Sequence, residues 1–166
     1  NVIQNEIQYE TLRMGLYIMQ HQIIFVCDHS SEMLQGVLKA FLKIQTSSLT
    51  AARVLYAFFN NLTKNDSEEL EALEEEISDI EERVLNGATE DYIKDIVAMR
   101  KKLMFYKKYY EQLLDVAESI EENSNGIMSS GALRYFKMFT ARVDRLNRNI
   151  INLRDYITQV REAYQS

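Results

Sequence analysis

The chain has 166 residues, 46% of them apolar, with no Pro, no Trp, 5 Gly and one Cys, enough for one compact domain or two small ones. Roughly seven Pro would be the usual share for this length, so their absence argues against turn-rich sandwiches and barrels and for long uninterrupted helices. One Cys cannot close an internal disulfide, a net charge of −6 disfavours a general nucleic-acid binder, and no apolar run nears the ~20 residues that span a bilayer: these residues describe a soluble, mostly helical chain without an enzyme's usual side chains.

The first 28 residues have strand character. Tyr9 to Met19 alternate loosely, with Leu12, Met14, Leu16 and Ile18 on one face, and Ile23 to Cys27 form a short apolar, partly β-branched run. Gln20, His21 and Gln22 fit a hairpin connection between them. A lone hairpin is marginal in water, so this one is expected to lean on a helix or on strands preceding Asn1. The abrupt start beside a strand signal predicts a fragment of a longer protein. Ser30 or Ser31 can cap a helix running to about Lys43, with Met33, Val37, Leu38, Phe41 and Leu42 on its inner side. The polar link Gln45-Thr46-Ser47-Ser48 follows. From Leu49 the apolar positions Ala52, Leu55, Phe59 and Leu62 recur at three and four residues. No Gly or Pro intervenes before Gly87, so the pattern predicts one very long helix with a soft point near Asn65 and Asp66.

Three heptad seams come next. Leu70, Leu73, Ile77, Ile80 and Val84 are spaced 3, 4, 3 and 4, and Asn86-Gly87 ends that helix as a left-handed cap. Thr89 can cap the following helix, which carries Tyr92, Ile96, Met99, Leu103, Tyr106, Tyr110, Leu113, Ala117 and Ile120. The polar stretch Glu121 to Gly131 reads as a loop. A final helix carries Phe136, Phe139, Val143, Leu146, Ile150, Leu153, Ile157, Val160 and Tyr164. Three seams with a mean step of 3.5 predict antiparallel helices in coiled-coil contact. The last helix, roughly 50 Å long at about 1.5 Å per residue, is longer than a globular core needs. The predicted fold class is mainly α (α+β): a small N-terminal β-hairpin remnant packed with helices, then long antiparallel coiled-coil-like helices.

Charge separates along the same helices. Residues 66 to 85 hold ten acids and one base, Arg83, whereas the facing helix carries Lys94, Arg100, Lys101, Lys102, Lys107 and Lys108. This pattern fits complementary charge flanking the seam, each exposed pair worth ~0.2–1 kcal/mol. A surface that also collects divalent cations is the alternative. The last helix is basic on its solvent side, which suits an acidic neighbour, an anionic membrane surface or simply water.

Constellations for catalysis are missing. Cys27, His29 and His21 lie near the hairpin, but zinc needs three or four ligands at fixed geometry and no fourth is evident. With no other His, no Ser in a nucleophile-elbow context and no Gly-rich phosphate loop, neither a triad nor a nucleotide site can be assembled. Tyr92, Tyr106, Tyr110 and Tyr164 fall on seam positions and read as amphipathic packing. The chain is expected not to be an enzyme, and a metal-dependent hydrolase has no residues in its favour.

The run from Glu68, EELEALEEEISDIEERVLNGATEDYIKDIVAMRKKL, resembles the CorA family of divalent-cation, chiefly magnesium, transporters. That family has an acidic heptad helix, an Asn-containing turn, and a helix with a basic stretch like Arg100-Lys101-Lys102-Leu103. ARVLYAFFNNL resembles the helix entering that hairpin. The terminal helix, with Tyr135-Phe136, Leu153-Arg154-Asp155 and Ala163-Tyr164-Gln165-Ser166, is similar to the family's long stalk helix. The strands between Tyr17 and Asp28 are similar to the last strands of its cytoplasmic α/β domain.

The resemblance implies a division into residues 1–45, a C-terminal remnant of that α/β domain, and 46–166, a long-helix domain with the "willow" hairpin at 67–121 and the stalk at 132–165. It implies the soluble cytoplasmic part of a CorA-like Mg2+ transporter, at the cytoplasmic face of the cell membrane, involved in gating and cation sensing but not itself conducting. It also implies a homopentamer in the full-length protein, with stalks lining a central axis. The family's Gly-Met-Asn pore signature and its two membrane helices are absent from these residues. The early stalk position that is acidic in characterised members is Met138, near Ala141 and Arg142, whereas the acidic position near the stalk's end is kept as Glu162, the one candidate metal-attracting residue. Because the Phe136 to Tyr164 seam is expected to face the hairpin within a subunit, the chain alone is expected to be a monomer or weak oligomer. Mg2+ is expected to bind weakly, with no cofactor required for folding, no nucleic acid as partner, and membrane contact only through missing C-terminal helices. The alternative is a free-standing helical coiled-coil interaction module.

Overall fold

A computed structural model describes residues 13–27, 34–36, 38–39, 50–87 and 92–165. Strands β1 (Met14–Ile18) and β2 (Ile23–Cys27) are followed by helices α1 (Ala51–Leu62), α2 (Asp66–Leu85), α3 (Tyr92–Glu122) and α4 (Ser130–Gln165). The chain divides into two compact units, Asn1–Phe58 and Phe59–Ser166.

In the first unit β1 and β2 pair antiparallel, with Ile18 opposite Ile23 and Met14 opposite Cys27. The Met19 N–H donates to Gln22 O at 2.8 Å and closes the connection. Met14, Leu16 and Ile18 are half-buried while Tyr17 is exposed, the alternation expected of a strand with one covered face. Phe25 of β2 packs with its ring tilted against Phe58 at 5.0 Å between ring centroids, so the hairpin rests on a helix. Residues 34–36 and 38–39 are helical; the rest of the helix expected from Ser30 or Ser31 to Lys43 lies outside the described residues. Leu38, expected inside, is 48% exposed. Thr50 starts α1, accepting the Arg53 N–H on Oγ1 at 3.3 Å and the Val54 N–H on its carbonyl at 3.1 Å.

The second unit is built on the three seams. Leu70, Leu73, Ile77 and Ile80 of α2 are buried, with Val84 half-buried; α3 buries Tyr92, Ile96, Met99, Leu103, Tyr110, Leu113, Ala117 and Ile120, with Tyr106 half-buried. Along α4, Phe136, Phe139, Val143, Leu146, Ile150, Leu153, Ile157 and Val160 are all buried. The side chain of Tyr164 lies outside the described residues, as does Thr89. Burying a Leu, Ile or Phe side chain contributes about 1.5–3 kcal/mol, so α4 holds the unit together by packing on both α2 and α3.

Three details depart from the expectation. The single long helix breaks at Thr63–Asn65: the Thr63 hydroxyl donates to Phe59 O at 3.2 Å in a buried position, and Asp66 N–H reaches back to Thr63 O at 3.3 Å. Second, α3 runs to Glu122 and α4 begins at Ser130, so the loop is shorter than Glu121 to Gly131. Asn123, at φ 52°, gives its amide N–H to Met128 O and takes the Met128 N–H on Oδ1, both at 2.9 Å, while Ser129 Oγ caps α4 through the Ala132 N–H at 3.3 Å. Third, successive helices are antiparallel as expected, but a parallel contact is added to them. Arg83–Asp95 and Glu76–Lys102 set α2 against α3 head to tail. Val97, Arg100, Lys101 and Met104 share one groove with Arg154, Asp155 and Thr158, which with the short connection from Glu122 to Ser130 sets α3 against α4 likewise. Helices α2 and α4, both antiparallel to α3, therefore run parallel; Tyr156 of α4 meets Glu81 of α2, and Arg142 of α4 meets Asn60 of α1. The expected cap at Gly87 is in place, with φ +66° and its N–H on Val84 O at 3.2 Å.

Candidate functional site

Helix α4 uses one heptad face for its own bundle and leaves a second one open. Met138, Ala141, Arg145, Arg148, Asn152, Asp155, Gln159 and Glu162 follow one another at steps of three and four, and all are exposed, Asp155 also bordering the groove shared with α3. The stripe begins with a thioether and a methyl group, carries arginines in its middle and ends in carboxylates. Arg148 Nη2 pairs with Asp144 Oδ2 at 2.9 Å on the surface, a contact of small energetic weight. Glu162 stands exposed in the last turn of α4.

The start of α4 does not assemble a magnesium site from this chain's residues. Mg2+ takes oxygen ligands in near-octahedral geometry, and Met138, 60% exposed, offers sulfur. Ala141 offers nothing, and Arg142 is a cation whose Nη1 donates to Asn60 Oδ1 at 2.5 Å. Among the described residues no group of three or more His, Cys, Asp or Glu is placed to hold a metal ion. His21 is exposed at the hairpin tip and Cys27 is half-buried opposite Met14; His29 lies outside the described residues.

The acidic helix α2 meets the basic helix α3 partly as its charges suggest. Lys102 Nζ binds both carboxylate oxygens of Glu76 at 2.9 and 3.0 Å. The Arg83–Asp95 pair, at 2.7 Å, has the opposite sense, with the base on α2. Further along, tyrosines replace lysines: Tyr106 Oη donates to Glu69 Oε2 and Tyr110 Oη to Asp66 Oδ2, each at 3.1 Å. From α4, Tyr156 Oη donates to Glu81 Oε2 at 2.6 Å, and that bond holds the Tyr156 phenol above its ordinary pKa.

Asp66 is the one acid of α2 that is taken out of water, 8% exposed in the helix's first turn. Burial pushes its carboxyl up from 3.8 to about 6; the Tyr110 hydrogen bond works against that shift and the nearby Glu69 adds to it. Burial likewise raises the phenols of Tyr109 and Tyr110, with the Asp66 charge adding to the effect. The tyrosines form a ladder, Tyr106 stacked on Tyr110 at 6.3 Å and Tyr109 against Tyr110 at 5.0 Å. Sequence reasoning assigned Tyr106 and Tyr110 to packing and counted Asp66 with the surface acids. No local signal marks the pair, because its members are 44 residues apart.

A heptad hairpin laid on a 36-residue helix is shared with known proteins. The model for the family described as CorA-like Mg2+ transporter protein matches residues 1–166. The chain belongs to that family. The structure of the soluble domain of CorA from Methanocaldococcus jannaschii matches with a TM-score of 0.75 and 18% identity, over 90% of this chain and 61% of that one. The complete structure of the CorA magnesium transporter from the same organism gives 0.72 and 16%, over 93% and 54%. Likeness at such identity is likeness of fold, and this CorA-like chain spans little more than half the length of the complete transporter. No curated protein matches it. Among the described residues no helix is long and apolar enough to cross a membrane.

Proposed function

We propose that the chain is the cytoplasmic gating part of a CorA-like transporter of Mg2+ or a related divalent cation, neither conducting nor catalytic itself, with α4 as its stalk and α2–α3 as its willow hairpin. On this reading the domain boundary lies near residues 45 and 46, with a remnant of the α/β domain before it. The observation that carries the proposal is the open heptad face of α4. A helix that already holds its bundle together with one face, and presents a second in regular register, is suited to lie against copies of itself around an axis. In a homopentamer the five Glu162 carboxylates would ring that axis and raise the local concentration of hydrated cations. Its middle would bring Arg145 and Arg148 of neighbouring copies together, and like charges there oppose association of the chain alone. Against a free-standing coiled-coil module stands the family match, which runs along the whole chain.

Ion uptake by the intact protein tests the reading. Cells lacking their own magnesium uptake regain it when the parent gene is expressed, and Glu162→Gln lowers the initial rate several-fold at low ionic strength. A parent gene without two apolar spans separated by Gly-Met-Asn after Ser166, or one that supports no divalent-cation uptake, overturns it.

A further inference from the structure

Asp66 sits where three features meet. It follows directly on the Thr63–Asn65 break, it opens α2, and its carboxylate is buried against α3 rather than turned to solvent as its neighbours Ser67, Glu68 and Glu69 are. One bond joins it to the facing helix, from Tyr110 Oη to Asp66 Oδ2 at 3.1 Å, and Tyr110 is itself fully buried. Glu69 on α2 and Tyr106, Tyr109 and Tyr110 on α3 are acidic or weakly acidic, and of the α3 bases beside Tyr110, Lys107 is paired with Glu111 and Lys108 is exposed. On α4 the charged side chains level with it by register are engaged elsewhere or exposed. Arg142 is on Asn60, Arg148 is on Asp144, and Arg145 faces water. Lys64, in the break, is exposed. A carboxylate ionised in this position has one phenol to receive its charge and a second carboxylate nearby.

We propose that Asp66 and Tyr110 form a proton-operated latch: protonated, Asp66 keeps the first turns of α2 seated on α3, and ionised, it favours their release into water. The direction follows from the geometry. The neutral acid keeps a hydrogen bond with the tyrosine and loses little by burial, whereas the anion is better solvated outside. The break at Thr63–Asn65 allows these turns to lift without unwinding α1, and the rest of α2 stays held by Leu73, Ile77 and Ile80, all buried. The carboxyl's elevation to about 6 places the transition between acidic and neutral conditions. The latch stands apart from the transport reading, because it is read on this chain without any ion.

Amide hydrogen exchange of Glu69, Leu70 and Glu71, followed by NMR and corrected for the intrinsic pH dependence of exchange, tests it. In the natural sequence the opening equilibrium is expected to rise about tenfold between pH 5 and pH 7.5. Asp66→Asn, close in shape and still an acceptor for Tyr110, is expected to show less than a twofold rise with unchanged circular dichroism. Tyr110→Phe is expected to raise opening at both pH values and to move the midpoint upward, because the bond that favours the anion is gone. A natural chain whose opening is independent of pH, an equal rise in Asp66→Asn, or a Tyr110→Phe variant indistinguishable from the natural chain overturns the latch.

Discussion

Asp66 has the field of a helix N-terminus, which favours an anion by ~0.3–1 kcal/mol, but not the water an anion needs. Burial wins. The carboxyl stands at about 6 against 3.8, so its contribution to stability is fully present below pH 3.8 and is lost as pH rises through 6. At 1.36 kcal/mol per pH unit the ionised group costs the folded chain at most about 3 kcal/mol. Asp66→Asn is therefore expected to stabilise the protein by about 1–3 kcal/mol at pH 7.5 in urea unfolding, with the gain vanishing near pH 4. A loss of stability at pH 7.5 would contradict the burial argument. None of this was legible in the sequence, where Asp66 is one acid in a run of ten; only tertiary packing distinguishes it from Glu68. Met138, by contrast, needed no structure, because a thioether already offers no hard oxygen to Mg2+.

The long helices were legible because a heptad pattern is a packing instruction repeated every turn, and each repeat confirms the last. Every described seam position of α4 is buried. Two features escaped. A heptad does not say which way its partner runs, so the parallel contact of α2 with α4 came only from the arrangement of three helices. The break at Thr63–Asn65, where the Asp66 N–H turns back to Thr63 O, falls in a stretch with no Gly or Pro to mark it. Ile150 is fully buried while Asn152, two residues on, is exposed. Ile150→Ala is expected to cost about 2–5 kcal/mol and Asn152→Ala less than about 0.5 kcal/mol, as measured by thermal unfolding. Equal costs at the two positions would mean that α4 does not pack on the seam described.

At the scale of the whole molecule, what the chain does depends on what its open faces meet. The described residues contain no cluster for Mg2+, and the α4 stripe carries adjacent arginines. The chain alone is accordingly expected to be a monomer or weak oligomer by light scattering without magnesium, and to bind Mg2+ weakly in calorimetry. A stable pentamer, or tight stoichiometric Mg2+ binding, would show that contacts or ligands other than these prevail. The family was legible from the order of acidic helix, Asn-Gly turn, basic helix and long final helix. Glu162 is put forward by the same resemblance, and it is exposed, as the role proposed requires.

The most direct measurement of that role is disulfide cross-linking in the parent protein, with Cys27 replaced by Ser and single cysteines placed along α4. Cysteines at Asn152 and Gln159 are predicted to join neighbouring subunits on mild oxidation, whereas cysteines at Glu75 of α2 and Lys108 of α3 are not. Cross-links at Glu75 and Lys108 with none at Asn152 and Gln159 would contradict the account, because α4 would then not face the axis.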